Sequence, residues 1–167
     1  MQPRTTDYRV RSLTRTDAEP LLGFYRRLPD WIVHWYDPFP SPDEQKMQAH
    51  LERADSGEAI SYGLCEADAI RGHGFILGVR GPAPVFGIGL EEAAIGRGQG
   101  RLLMEVVISE ADAREIPLVT LTVFKENERA RRLYEAFGFV VTGEAGCRSP
   151  GDSHAMERRR PPGNATR

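Results

Sequence analysis

Gly98-Gln99-Gly100, preceded by Arg97 and followed at once by Arg101-Leu102-Leu103-Met104-Glu105-Val106-Val107, brings together residue types suited to holding an anion. Two glycines at alternate positions let the backbone approach a ligand in conformations that a Cβ would penalise. The run after them has a helical pattern, and the first turn of a helix offers unpaired N–H groups and the positive end of its dipole. Before the glycines, Val85-Phe86-Gly87-Ile88-Gly89-Leu90 carries Phe86, Ile88 and Leu90 at period two and reads as a strand. The motif therefore joins strand to helix. A P-loop needs Lys-Ser or Lys-Thr after its last glycine, where this chain has Arg101-Leu102, and a dinucleotide fold needs a third glycine where Leu103 and Met104 stand. Neither pattern fits.

A second strand pattern, Leu118-Val119-Thr120-Leu121-Thr122-Val123, leads to Asn127-Glu128-Arg129-Ala130-Arg131-Arg132-Leu133-Tyr134-Glu135-Ala136-Phe137-Gly138-Phe139. Asn127 is a good helix N-cap, Ala130, Leu133, Tyr134 and Phe137 make an apolar stripe, and Gly138 supplies the stop. Here the chain resembles the GNAT superfamily of acyl-CoA-dependent N-acetyltransferases. The segment from Leu90 to Gly100 resembles its motif A and that from Asn127 to Phe139 its motif B, and the close resemblance covers roughly residues 85 to 143. Ile95 stands where the family pattern usually has Gln or Arg.

The resemblance implies a single α/β domain of the α+β kind. Its central mixed, mostly antiparallel twisted sheet should have about seven strands and about four flanking helices, with a V-shaped splay between strands 85–90 and 118–123. It also implies acetyl-CoA as co-substrate, held by Leu90, Arg97, Gly98, Gln99, Gly100, Arg101 and Asn127. Backbone N–H near Leu90 or Glu91 is the implied donor to the oxyanion, and Tyr134 the implied acid that protonates the departing thiolate. Periodicity offers a plainer account of Tyr134, as one more packed member of its stripe.

Attack by an amine on a thioester requires the ammonium to lose a proton. Glu91 and Glu92 at the end of the central strand, or His73 on a neighbouring strand, could accept it, and so could a water wire with no dedicated base. The segment Trp31-Ile32-Val33-His34-Trp35-Tyr36-Asp37-Pro38-Phe39-Pro40 is too aromatic for a solvated linker. Trp31, Trp35, Tyr36 and His73 are therefore candidates for the acceptor side, with Asp37, Asp43 and Glu44 as partners for a small cation; alternatively the tryptophans anchor the first helix on the sheet. No metal site is expected. N-terminal peptide acetyltransferases of the superfamily tend to carry Leu-Glu-Val-Arg where this chain has Leu121-Thr122-Val123-Phe124. The expected activity is acetyl transfer to a primary amine of a small molecule by direct attack. Protein Nα- or lysine acetylation and a non-catalytic acyl-CoA-binding module are the alternatives.

Around this centre, Tyr8 to Leu13 reads as a first strand, and Thr16-x-x-Glu19 makes a capping box for a helix over roughly 17 to 28 that Pro29 stops. A second helix is expected from Ser41, boxed with Glu44, to about Ala54. A hairpin turning at Ala67-Asp68-Ala69 follows, and two late strands cover Val140 to Gly143 and His154 to Arg158. Residues 1–158 should form the domain and 159–167 a disordered tail, in which Asn164 is a chance glycosylation match. With 167 residues, 40% hydrophobic, and a net charge of −2, the chain has no general attraction to nucleic acid. It contains no apolar run of membrane length, and Cys65 and Cys147 are expected to be reduced and structural. A cytoplasmic location is expected, with a homodimer left open.

Overall fold

The computed structural model describes residues 7–163. Strands β1 (Tyr8–Ser12), β2 (Ala59–Glu66), β3 (Ala69–Leu77), β4 (Val85–Leu90), β5 (Leu118–Phe124), β6 (Val140–Ala145) and β7 (Ser153–Arg159) form one sheet in the order β1-β2-β3-β4-β5-β7-β6. Every pairing is antiparallel except β4 with β5. That parallel pair touches at the single register Val85↔Thr120 and then diverges, which is the expected splay.

The helices are α1 (Ala18–Arg27), α2 (Asp30–Trp35), α3 (Glu44–Asp55), α4 (Gln99–Ala113) and α5 (Glu128–Ala136). The sheet separates two apolar clusters. Leu103, Met104 and Val107 of α4 and Tyr134 of α5 pack with Ile60, Leu64, Ile76 and Phe86 on one face, while Leu21 and Phe24 of α1 and Met47 and Leu51 of α3 pack with Ile70 on the other.

The sequence expectations differ from the fold in a few places. Pro29 does end the first helix, but its extended backbone (φ −70°, ψ 156°) also caps the short α2, which no pattern marked. Six residues are too few for an apolar period to show. The cap of α3 is Asp43, whose carboxylate accepts from Lys46 N–H at 2.8 Å, rather than Ser41, which sits at φ 49° ahead of the helix. At the start of α1 the acid acting on a cap is Asp17, which accepts from Thr14 N–H at 2.8 Å and from Arg11 at 2.7 Å, and not Glu19. The last strand runs to Arg159, and Arg160 N–H donates to the Pro117 carbonyl at 3.0 Å, so ordered chain continues past residue 158. Asn164 lies outside the described residues. Both cysteines are free; Cys65 is buried and Cys147 is exposed. No helix among the described residues is long and apolar enough to cross a membrane.

Candidate active site

The mouth of the splay holds a cleft of about 390 Å³ lined from three sides: by α2, by the end of β4 with the turn after it, and by α5. At its phosphate-like end, Gly96 and Gly98 adopt φ +79° and +77°, where an L side chain is strained. A Cβ on Gly98 would meet nothing within 4 Å, so the N-terminus of α4 faces open space. The first N–H of this helix to find a carbonyl is that of Leu102, on Gly98 at 3.1 Å, which leaves the N–H groups of Gln99, Gly100 and Arg101 without partners inside the helix. Arg101 and Arg129 line the same end, and Arg101 lies over the Phe137 ring at 5.6 Å. Oriented N–H groups, a helix dipole and two guanidinium groups suit a pyrophosphate. Arg97 and Gln99 flank the turn without lining the cleft. Ile95 turns toward the α1–α3 cluster and also lines the cleft. Asn127 lines it too, while its Oδ1 caps α5 by accepting from Ala130 N–H at 3.2 Å.

Along the cleft, the ladder pattern decides which backbone groups are free. Glu91 N–H donates to the Arg71 carbonyl at 2.8 Å, and in an antiparallel ladder bonded and non-bonded positions alternate. Gly89 and Glu91 thus point their N–H groups at β3, while Ile88 and Leu90 point theirs toward β5, into the splay where no strand meets them. Of the two positions proposed for an oxyanion donor, the N–H of Leu90 faces the cleft and that of Glu91 is occupied. Tyr134 closes the floor. It packs edge-on to Phe86 at 6.0 Å, and its hydroxyl makes no hydrogen bond among the described residues. Burial raises its pKa to about 12.

Glu91 and Glu92 do not reach this cleft. The Glu91 carboxylate is clamped between Arg27 at 2.7 Å and Arg71 at 3.1 Å, so both oxygens are already paired, and Glu92 is exposed at the start of a short helical turn. His73 lies under α1 and α3, fully buried, away from the lining. It belongs to a hydrogen-bonded chain that no motif announced: His50 Nε2 to Ser61 Oγ (2.9 Å), Ser61 Oγ to His73 Nε2 (2.8 Å), His73 Nδ1 to Tyr25 (2.6 Å) and Tyr25 to Tyr36 (2.8 Å). His50 Nδ1 is buried without a partner. A buried lone pair is tolerated better than a buried orphan N–H, so the proton of His50 belongs on Nε2. Donation then runs one way along the chain to Tyr36, whose hydroxyl donates to the His73 carbonyl at 3.5 Å. Burial, with the charge of Arg53, lowers the His50 pKa to about 4, and burial and His50 hold His73 well below its usual range. The whole chain is uncharged.

The aromatic segment does meet the cleft. Trp31, Trp35 and Tyr36 line it, and α2 bridges the two diverging strands. On one side the Tyr36 ring lies over Gly89, where a Cβ would fall 2.7 Å from Cζ and closer still to Cδ1 and Cε1. On the other, His34 stacks on Phe124, the last residue of β5, at 5.7 Å, and Trp35 meets the same ring edge-on at 5.4 Å. Arg148, from the loop between β6 and β7, bonds His34 Nδ1 at 2.7 Å and the His34 carbonyl at 2.9 Å while lying over Phe124 at 5.7 Å. Asp37 and Glu44 are exposed, and Asp43 is the α3 cap; none of the three lines the cleft.

Residues 25–139 match the model of the acetyltransferase (GNAT) family. The chain belongs to this family. The family is one of acetyltransferases, and the cradle at Gly96 to Arg101 offers the donors that a pyrophosphate requires. The chain is 40% identical over 68 residues to the 5-NmdU N-acetyltransferase of Pseudomonas phage PaMx11; the match spans 40% of this chain and 46% of that relative, so about half of the relative's length is covered. Among solved structures, a GNAT-family acetyltransferase from Streptococcus pneumoniae superposes with TM-score 0.77 at 22% identity, over 92% of this chain and 99% of that one. PaiA N-acetyltransferase from Thermoplasma acidophilum, in complex with coenzyme A, gives 0.73 at 16% identity, over 92% and 99%.

Proposed function

We propose that the chain transfers the acetyl group from acetyl-CoA to a primary amine of a small molecule by direct attack, with Tyr134 as the acid that protonates the thiolate. The observation that carries this reading is the unpartnered Tyr134 hydroxyl at the floor of the cleft that begins at the Gly98 cradle. Burial keeps the Tyr134 phenol protonated at neutral pH, so it can donate a hydrogen bond and then its proton to the departing thiolate and regain a proton from solvent. The cradle and Arg101 hold the pyrophosphate, Leu90 N–H supports the negative charge on the carbonyl oxygen, and the α2 wall holds the amine beside it. The amine proton leaves through water at the open mouth, since both oxygens of Glu91 are committed to arginines and His73 is sealed below the sheet.

The partial match to a phage enzyme named as an N-acetyltransferase supports an amine acceptor. Protein Nα- or lysine acetylation is the competing reading within the family. The test is release of coenzyme A from acetyl-CoA in the presence of single amines and of peptides. Turnover with small amines, lost in Tyr134→Phe while coenzyme A still binds, supports the proposal. Turnover with peptides alone removes the small-molecule acceptor.

A further inference from the structure

We infer that the acceptor site selects a primary amine carried on a flat, uncharged body. This rests on the amine-acetyltransferase reading above and narrows it to a substrate class. Four aromatic and aliphatic side chains, those of Trp31, Ile32, Trp35 and Tyr36, make the acceptor wall, and no Asp or Glu is among the residues lining the cleft. Its charged members are Arg101 and Arg129, at the opposite, phosphate-binding end. The carboxylate nearest in sequence to the end of β4 is Glu91, and its charge is neutralised by Arg27 and Arg71. Beneath the wall, His50, His73, Tyr25 and Tyr36 form an uncharged chain. A polyamine or an aminoglycoside would bring one or more additional ammonium groups into this space. They would shed hydration with no carboxylate to meet them, and a ring face offsets only part of that cost.

The wall is also held rigid. Tyr36 is fixed by the contact with Gly89 and by Tyr25, and His34 and Trp35 are fixed against Phe124 by Arg148 from across the splay. A wall braced in this way suits a flat, stiff guest, because less freedom is left to lose on binding. Trp31 has 48% of its surface exposed and offers an open ring face at the mouth of the cleft. Stacking on such a face adds to what the covered area alone contributes. Together with burial of a six-membered ring, that is enough for a selectivity of tenfold or more.

The test uses the full-length protein with saturating acetyl-CoA and three amines: benzylamine, 2-methoxyethylamine as a monoamine without a ring, and spermidine. Values of kcat/KM are referred to the free-base concentration of each amine, so that differences in basicity do not enter. Benzylamine is expected to exceed each of the others by at least about tenfold. Trp31→Ala should reduce that advantage severalfold while leaving KM for acetyl-CoA unchanged, and Trp31→Phe should restore much of it. Spermidine or 2-methoxyethylamine matching benzylamine would overturn the inference and leave the transferase reading intact. Absence of turnover with all three amines and with a wider amine panel, in protein that binds coenzyme A by calorimetry, would overturn both.

Discussion

Gly89→Ala is the change that asks most directly whether the acceptor wall is built by the strand beneath it. The backbone of Gly89 is ordinary strand and not left-handed, so an alanine there meets no conformational penalty and gains about 0.5–1 kcal/mol over glycine in a strand interior. The opposing effect is steric. The new methyl group would sit 2.7 Å from Tyr36 Cζ, whereas ordinary contact begins at 3.4 Å, so that atom has to withdraw by at least about 0.7 Å. Tyr36 is not a loose side chain, because its hydroxyl is bonded to Tyr25 at 2.8 Å, and moving the ring strains that bond and the His73 contact beyond it. Because Cδ1 and Cε1 start closer still, the cost falls in the upper half of the about 1–3 kcal/mol typical of overpacking, leaving a net loss of about 1–2.5 kcal/mol. For a chain of this length, each kcal/mol lowers Tm by about 2–4 °C, so a fall of about 2–10 °C is expected. Thermal melting, with KM measured for amine and acetyl-CoA on the same preparation, is the assay. A rise of about tenfold in the amine KM should accompany the lower Tm, with little change for acetyl-CoA. Adding Tyr36→Ala removes the clash, so the two substitutions should be less than additive in stability. An unchanged Tm with an unchanged amine KM would refute the packing argument.

Tyr134→Phe should leave Tm nearly unchanged and lower kcat by about 10² to 10⁴, and a kcat within twofold of the parent, with chemistry rate-limiting, would make Tyr134 a packing residue only. Because burial raises the Tyr134 pKa above its unfolded value near 10, its contribution to stability is complete below pH 10 and is lost as pH rises toward about 12. Tyr25 and Tyr36 are also raised by burial and give an alkaline decline of their own, so denaturant melts across that range should fall less steeply in Tyr134→Phe than in the parent, and equal slopes would disprove the assignment. Gly98→Asp introduces about 1 kcal/mol or more of left-handed strain and a negative charge in front of the α4 dipole, so the Kd for coenzyme A should rise by at least tenfold by calorimetry, and unchanged affinity in folded protein removes the cradle. Glu91→Gln should lower Tm, because it breaks the clamp on Arg27 and Arg71, and leave kcat and its pH profile within about threefold; a large loss of kcat with a shifted acid limb would restore Glu91 as the base.

Most of the fold was legible because its signals are local. Phe86, Ile88 and Leu90 at period two, the glycines at 96 to 100 and the cap-to-glycine span from Asn127 to Gly138 each leave a mark in a short window, and the structure realises them as β4, the αL turn and α5. Helix α2 left no such mark, since six residues cannot display an apolar period. Ser41 and Thr16 failed as caps for a related reason. A Ser or Thr three residues before a Glu is common, and the carboxylates of Asp43 and Asp17 hold the chain at these helix starts instead, on Lys46 N–H and Thr14 N–H.

The site was legible only where its chemistry belongs to the backbone or to a motif. Glu91, Glu92 and His73 were candidates by residue type and position along the strand, but none of them lines the cleft, and Glu91 and His73 are engaged by other groups. The partners that engage them come from far away in sequence. Arg27 is 64 residues from Glu91, and Tyr25 is 48 residues from His73. The converse signal lay in glycines that read as mere breaks in a strand. Gly87 and Gly89 lack side chains on one face of β4 because the rings of Phe75 and Tyr36 occupy that space. A glycine at alternate strand positions therefore marks where another element must approach. The same absence of side chains that thins β4 makes room for the aromatic wall, so the position of Tyr36, and with it the shape offered to the amine, is set by what the strand omits.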